Sequence, residues 1–347
     1  MNKGIFFLKD SEINDWLIDS FKQRNYPINF MGIRNSPKTL QESRLGRIIK
    51  LHAGYIRLAI NSLIKSNRDD IIVSLLDVLA LYLFLISKIL FMRREIVVIN
   101  IMLNDQNDFI TKIKRYLFRW MLKNNHIHPT VTSTNLQELY RKLFDLPNKE
   151  FYLLHDCYGK LGKYKRSYKN GDKYVFCGGT NGRDWITLLK IAELLPNIKF
   201  VIVGPKKDTL GNHYPSNIDY YYDIPFTKFQ ELIENCSLLA LPLKTQAPAG
   251  LIVLFTAGLM SKPVITTDNA TTREYITTEE NGILVKLGDY EEFAKQVNRL
   301  ISTPDNQELF GKRLFSMIEN LGSPQAFVDK VILIIDQIHL NEGTTNK

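Results

Sequence analysis

Apolar residues fall in short continuous runs separated by stretches of helical period, and the alternation repeats along the whole chain. In the first half, strands are predicted at 4–8 (GIFFL), 28–33 (INFMGI), 95–103 (EIVVINIML) and 128–135 (HPTVTSTN). Helical patterns lie between them at 13–24, 40–65 and 108–123. In the second half, strands are predicted at 173–179 (KYVFCGG), 198–204 (IKFVIVG), 237–243 (SLLALPL) and 263–268 (PVITTD), with helices at 185–195, 228–235 and 251–260. Unbroken β-branched runs separated by helices are the pattern of parallel strands covered on both faces. An α/β class with two doubly wound domains in tandem follows.

Two helical patterns are amphipathic with a cationic side. Over 40–65, Leu45, Ile48, Ile49, His52, Tyr55, Ile56, Ala59, Ile60 and Leu63 form an apolar face, and Arg47, Lys50, Arg57 and Lys65 lie opposite. Over 108–123, Lys112, Arg115, Arg119 and Lys123 line one face and Ile113, Tyr116, Leu117 and Trp120 another. Each reads either as a solvated surface helix or as a face that docks on anionic lipid headgroups. The run 71–92 (IIVSLLDVLALYLFLISKILFM) is the most membrane-like, but Asp77 and Lys88 interrupt it, so it reads first as a buried helix and otherwise as a membrane-inserted element.

The 347 residues exceed what one core commonly supports, and 161–172, polar and glycine-containing, reads as a linker. The expected division is an N-terminal domain over 1–160, a C-terminal domain over 173–322, and a helix and tail over 323–347. The net charge of +9 sharpens this division: Lys and Arg number 24 against 15 Asp and Glu up to residue 160, and 21 against 21 beyond it. The N-terminal half is therefore expected to meet an anionic partner, and a phospholipid surface or nucleic acid would qualify. No nucleic-acid-binding module or basic strand face with interleaved aromatics accompanies the charge, so a nucleic-acid partner is not expected. Cys157, Cys177 and Cys236 are odd in number and widely spaced, and the start carries no signal-peptide pattern; both suit a reducing cytoplasm.

Ligands of doubly wound sheets sit at the carboxyl ends of strands, where amides of the next helix converge. Three such loops suit phosphate: 178–185 (GGTNGRDW) with Gly179 and Arg183; 204–207 (GPKK) with Lys206; and 247–252 (APAGLI), where Gly250 and Leu251 open an apolar helix. Walker-type and dinucleotide fingerprints, a nucleophile elbow and compact metal spacings are missing from the sequence.

The stretch 251–297 (LIVLFTAGLMSKPVITTDNATTREYITTEENGILVKLGDYEEFAKQV) resembles the C-terminal signature of GT-B fold glycosyltransferases, particularly glycosyltransferase family 4 and its group 1 relatives. The resemblance continues backward through 223–243 and 176–204, and so spans about 173–300. It implies two Rossmann-like domains facing a central cleft, a nucleotide-sugar donor on the C-terminal domain, and a glycan or lipid-linked acceptor on the N-terminal one. Carried over by position, Arg183 and Lys206 meet the donor diphosphate, Gly179, Gly250 and Leu251 offer backbone, and the loop from Asp268 through Arg273 to Glu274 borders the donor pocket. Where many members carry two glutamates eight positions apart, this chain has Pro248 and Thr256; Thr256 can still bond a ribose hydroxyl. For an inverting reaction, Asp105 and Asp10, each after a predicted strand, are the candidate bases.

These readings lead to a glycosyltransferase of polysaccharide assembly, cytoplasmic and peripheral on the inner face of the membrane, needing no cofactor and no metal. The missing glutamates also suit a non-catalytic glycosyltransferase-like subunit that stabilises or recruits a partner enzyme.

Overall fold

A computed structural model describes residues 4–9, 15–33, 44–103, 108–159, 174–206 and 214–345. The chain divides into two compact units, one formed by Met1–His155 with Pro324–Lys347 and the other by Asp156–Ser323. The predicted linker 161–172 lies outside the described residues.

The first unit is built on six parallel strands: β1 Ile5–Lys9, β2 Asn29–Gly32, β3 Ile71–Ser74, β4 Glu95–Val98, β5 Ile127–Val131 and β6 Tyr152–Leu153. Their order is β2-β1-β3-β4-β5-β6, so the direction of winding reverses between β1 and β3. Helices α2 Arg44–Lys65, α3 Asp77–Ile89, α4 Phe109–Leu122 and α5 Thr134–Phe144 pack in succession, as right-handed crossovers onto one face require. On the other face α1 Asp15–Gln23 packs against the terminal helix α11 Pro324–Thr345. An edge-on contact of Trp16 with Phe327 (6.2 Å between centroids), a two-pronged Arg24–Asp329 pair, and a Tyr26 hydroxyl donating to Asp336 (2.8 Å) hold these helices together.

Two elements depart from the sequence expectation. The run 71–92 is not one helix: Ile71–Ser74 is a fully buried central strand, and helix α3 starts only at Asp77, whose carboxylate accepts the Val78 N–H (2.6 Å) and the Met102 N–H (3.0 Å). Three β-branched residues between paired neighbours favour the strand, and the leucine-rich remainder favours the helix. The apolar face expected along α2 is buried only from Tyr55 onward, through Leu58, Ala59 and Leu63, while Ile48, Ile49 and Ile56 are exposed. On α4 the buried residues are Phe118, Met121 and Leu122; Ile113, Tyr116 and Trp120 are exposed.

The second unit repeats the plan with β7 Tyr174–Gly178, β8 Lys199–Gly204, β9 Ile218–Tyr222, β10 Leu238–Leu241, β11 Val264–Thr267 and β12 Ile283–Val285, again six parallel strands. Their order β12-β11-β10-β7-β8-β9 places the reversal between β7 and β10. Alternate side chains serve opposite cores. Val175, Cys177, Phe200 and Ile202 pack with α6 Trp185–Leu194 and α9 Tyr290–Ile301, whereas Tyr174, Phe176, Val201 and Leu239 pack with α7 Phe226–Glu234, α8 Leu251–Leu259 and α10 Pro304–Leu321. The edge strand β9, largely exposed and rich in tyrosine, lacks the apolar run that marked the others.

Candidate functional site

The site is built where the second sheet reverses its winding, between β7 and β10. Strand β7 ends at Gly178, and Gly179 turns the chain with φ +97°, its N–H bonded to the Val203 carbonyl of neighbouring β8 (3.0 Å). A second left-handed residue, Gly182 (φ +70°), returns the chain so that Arg183 bridges Leu243, just beyond β10. Lys244 N–H to Gly182 O (2.9 Å) and Asp184 N–H to Pro242 O (2.9 Å) close this join. Asp184 then caps α6 by accepting the Thr187 N–H (3.1 Å).

Arg183 is thereby turned inward and is 4% exposed. Its Nε donates to the Gly178 carbonyl (2.7 Å) and one terminal nitrogen to the Asn181 carbonyl (2.8 Å). No Asp or Glu among the described residues pairs with it, and burial holds the guanidinium pKa below its ordinary value. An arginine keeps its charge even so, and a buried cation held only by neutral carbonyls is a strong attractor for an anion.

The guanidinium lies against both glycines singled out by the sequence. A Cβ on Gly179 would stand 2.5 Å from one terminal nitrogen of Arg183, and a Cβ on Gly250 3.2 Å from the other. Gly250 (φ +80°) is also the residue from which α8 starts, with no side chain capping the helix. The first-turn amides of α8, beginning with that of Leu251, are therefore presented beside a buried cation. Gly179, Arg183, Gly250 and Leu251 thus come together at one point.

The remaining predicted residues do not join this cluster. Thr256 is fully buried, and its hydroxyl donates to the Ile252 carbonyl (2.7 Å) within its own helix. Lys206 is exposed after β8, with its Nζ 6.0 Å from the centre of the Tyr222 ring. Arg273 is exposed and makes a two-pronged pair with Asp268 (2.5 and 2.9 Å), which raises its pKa; Glu274 lies beside it in the same short 3-10 turn, half-buried. Asp10 and Asp105 lie outside the described residues.

A polar lattice that the sequence reading passed over fixes the loop in front of α8. Asn269 Nδ2 donates to Thr245 O (3.0 Å), Ala270 N–H to Gln246 Oε1 (2.8 Å), and Thr271 Oγ1 to Gln246 O (3.2 Å). Its sequence signal is the dense Thr/Asn run TTDNATT over 266–272, which begins in the last two residues of β11. In the first unit, a cavity of about 880 Å³ opens at the amino ends of β4, β5 and β6, lined by Glu95, His128, Lys149 and Tyr152 among others. There His128 Nε2 and Glu95 lie 2.7 Å apart, and Arg68, Arg93 and Lys149 of the lining are matched in number by Asp69, Glu95 and Glu150, unlike Arg183.

Residues 173–303 match the family model described as Glycosyl transferases group 1, and this stretch is a group 1 glycosyltransferase domain. No curated protein matches the chain. Among solved structures, sucrose-phosphate synthase from Thermosynechococcus elongatus is similar in fold at 13% identity, with 98% of this chain and 100% of that one covered and a TM-score of 0.72. A glycosyltransferase from Rickettsia africae is similar at 12% identity, covering 97% and 99% with a TM-score of 0.67. Anabaena HepE, solved with UDP-glucose, is similar at 15% identity, covering 97% and 99% with a TM-score of 0.62. The chain has the GT-B fold, as two parallel doubly wound sheets.

Proposed function

From a GT-B chain whose second unit carries a group 1 glycosyltransferase domain, we propose that this protein transfers a sugar from a nucleotide diphosphate sugar to a hydroxyl of a glycan or lipid-linked glycan, in polysaccharide assembly. The observation that carries the reading is Arg183, a buried cation with no carboxylate partner among the described residues, set against the open start of α8 where the sheet reverses. A nucleotide diphosphate supplies the charge this arrangement lacks. As the anomeric carbon–oxygen bond breaks, negative charge grows on the departing diphosphate. Preformed donors in a buried site stabilise that charge without reorganising. Arg183 and the α8 amides are the donors, with Lys206 as a weaker outer cation; in this reading the protein's own groups do this work and no metal is needed.

The acceptor is assigned to the first unit, whose cationic helices suit an enzyme working peripherally at the inner face of a membrane. One observation favours a second reading. With Pro248 and Thr256 in place of two glutamates, and the Thr256 hydroxyl tied to Ile252, the ribose lacks a charged grip from this helix. A non-catalytic subunit that recruits a partner enzyme would tolerate that loss.

The test is release of nucleoside diphosphate from a panel of UDP-, GDP-, CDP-, dTDP- and ADP-sugars, with membrane extract as the acceptor source and with or without EDTA. Turnover of one donor, unchanged by EDTA and abolished in Arg183→Ala, is expected. Nucleotide binding without turnover of any donor would favour the recruiting subunit, and absence of both would overturn the donor site.

A further inference from the structure

The leading ends of α2 and α4 share an unusual composition. Helix α2 carries five Lys and Arg, α4 carries four, and neither contains an Asp or Glu. Those nine cations equal the net charge of the whole chain. A helix facing only water would be expected to mix its charges.

Apolar exposure coincides with this charge. On α2 no described side chain is buried before Tyr55, and Ile48, Ile49 and Leu51 are 44%, 61% and 42% exposed. On α4 none is buried before Phe118, and Phe109, Ile110, Ile113 and Tyr116 are 77%, 65%, 45% and 71% exposed. Both helices follow strands of one parallel sheet, so both leading ends stand at its carboxyl edge, on the same face. Only α3 lies between them, which sets their axes about 18 Å apart at the usual helix spacing.

The one carboxylate at these two helix ends among the described residues is Asp108, which caps α4 by accepting the Thr111 N–H (3.0 Å). Otherwise large exposed aliphatic and aromatic side chains stand among cations, the chemistry of a helix end that enters the headgroup layer, apolar side chains inward and ammonium groups at the phosphates. We infer that the leading ends of α2 and α4 form one insertion surface for an anionic phospholipid bilayer, with Phe109, Ile110 and Ile113 entering the interface and Lys112 and Lys114 at its phosphates. This deepens the membrane part of the proposed function by naming the surface and its mode, which is insertion as well as charge attraction. It also turns the carboxyl edge of the first sheet, where doubly wound sheets bind ligands, toward the bilayer. No helix among the described residues is long and apolar enough to cross a membrane, in keeping with entry from one side.

The experiment measures co-sedimentation of the full chain with vesicles of neutral phosphatidylcholine and of phosphatidylcholine with 30 mol% phosphatidylglycerol, at low and high salt. Two surface variants are compared: Phe109→Ser with Ile110→Ser and Ile113→Ser, which leaves charge unchanged, and Lys112→Glu with Lys114→Glu. Melting temperatures and the melting shift with nucleotide are measured in parallel. The parent is expected to bind anionic vesicles and lose at least tenfold in affinity on neutral ones. The serine variant should lose at least tenfold at either salt, and the glutamate variant mainly at low salt. Full binding by the serine variant, or parent binding equal on both vesicles, would overturn the surface. So would absence of vesicle binding with self-association that the serine variant abolishes, since the face would then be covered by a second copy. Failed vesicle binding with an intact nucleotide shift removes only this inference; a lost nucleotide shift with intact vesicle binding removes only the donor site.

Discussion

Replacing Arg183 by alanine separates its value to a ligand from its value to the fold. In the fold its two hydrogen bonds end on backbone carbonyls, at 2.7 and 2.8 Å. Their loss is offset by relief of a buried charge whose pKa burial already depresses. The ligand-free variant should therefore melt within about 5 °C of the parent. Toward a diphosphate there is no such offset. Loss of one two-pronged, charge-assisted contact costs about 3 kcal/mol, roughly 150-fold in Kd. With nucleotide at about 100 times the parent's Kd, binding stabilises the parent by roughly 2.7 kcal/mol and the variant by about 0.3. For a unit of this size that is a shift of about 5–11 °C against about 1 °C. Differential scanning fluorimetry with UDP, GDP, CDP, dTDP and ADP reads both numbers. A full shift retained in Arg183→Ala would refute the argument, because the anion would then be held elsewhere.

Two stability predictions concern the units separately. Gly311→Ala would set a Cβ 1.8 Å from the Ser261 carbonyl oxygen, a backbone atom with no rotamer to escape into. It should cost about 3 kcal/mol and lower the melting temperature by about 6–12 °C in calorimetry. In the first unit, burial depresses His126 from 6.5 to about 4, only partly countered by the Glu95 charge. The fold thus prefers its neutral ring, and the stability this gives is full above pH 6.5 and lost as pH falls toward 4. Urea titrations should show the parent losing about 3 kcal/mol more than His126→Phe between pH 7 and pH 4.

What the sequence disclosed follows how each element is buried. Strands covered on both faces, such as Tyr174–Gly178 and Lys199–Gly204, read directly as apolar runs. The exposed edge strand Ile218–Tyr222 left no such run and was not anticipated. A four-residue strand joined within three residues to a leucine-rich helix looked like one apolar segment over 71–92, because composition there does not mark the change of period. On α2 and α4 the period was legible but not its burial, since a helix can overhang its core and keep the same pattern. At the site, a cation in a glycine-rich turn was visible, but its inward turn against Gly179 and Gly250 depends on two left-handed backbones and a bridge to Leu243.

The signature that carried the family resemblance is, in physical terms, mostly a folding device. Lys262 is 1% exposed and donates its Nζ to the Cys236 carbonyl (2.9 Å), tying the start of β11 to the turn before β10. Thr266 donates to the Leu241 carbonyl (2.9 Å), and Thr267 accepts the Leu243 N–H (2.8 Å) just where β10 gives way to the loop before α8. Asn269, Ala270 and Thr271 then hold that loop through Thr245 and Gln246, and the loop delivers Gly250 at φ +80° to the start of α8. The residues that build this scaffold are thus a separate set from the two positions at which the resemblance implies glutamates. The chain can keep the first and replace the second with Pro248 and Thr256. In the proposed function the diphosphate would be held by Arg183 and backbone geometry, and the choice of nucleotide would rest on contacts outside the signature.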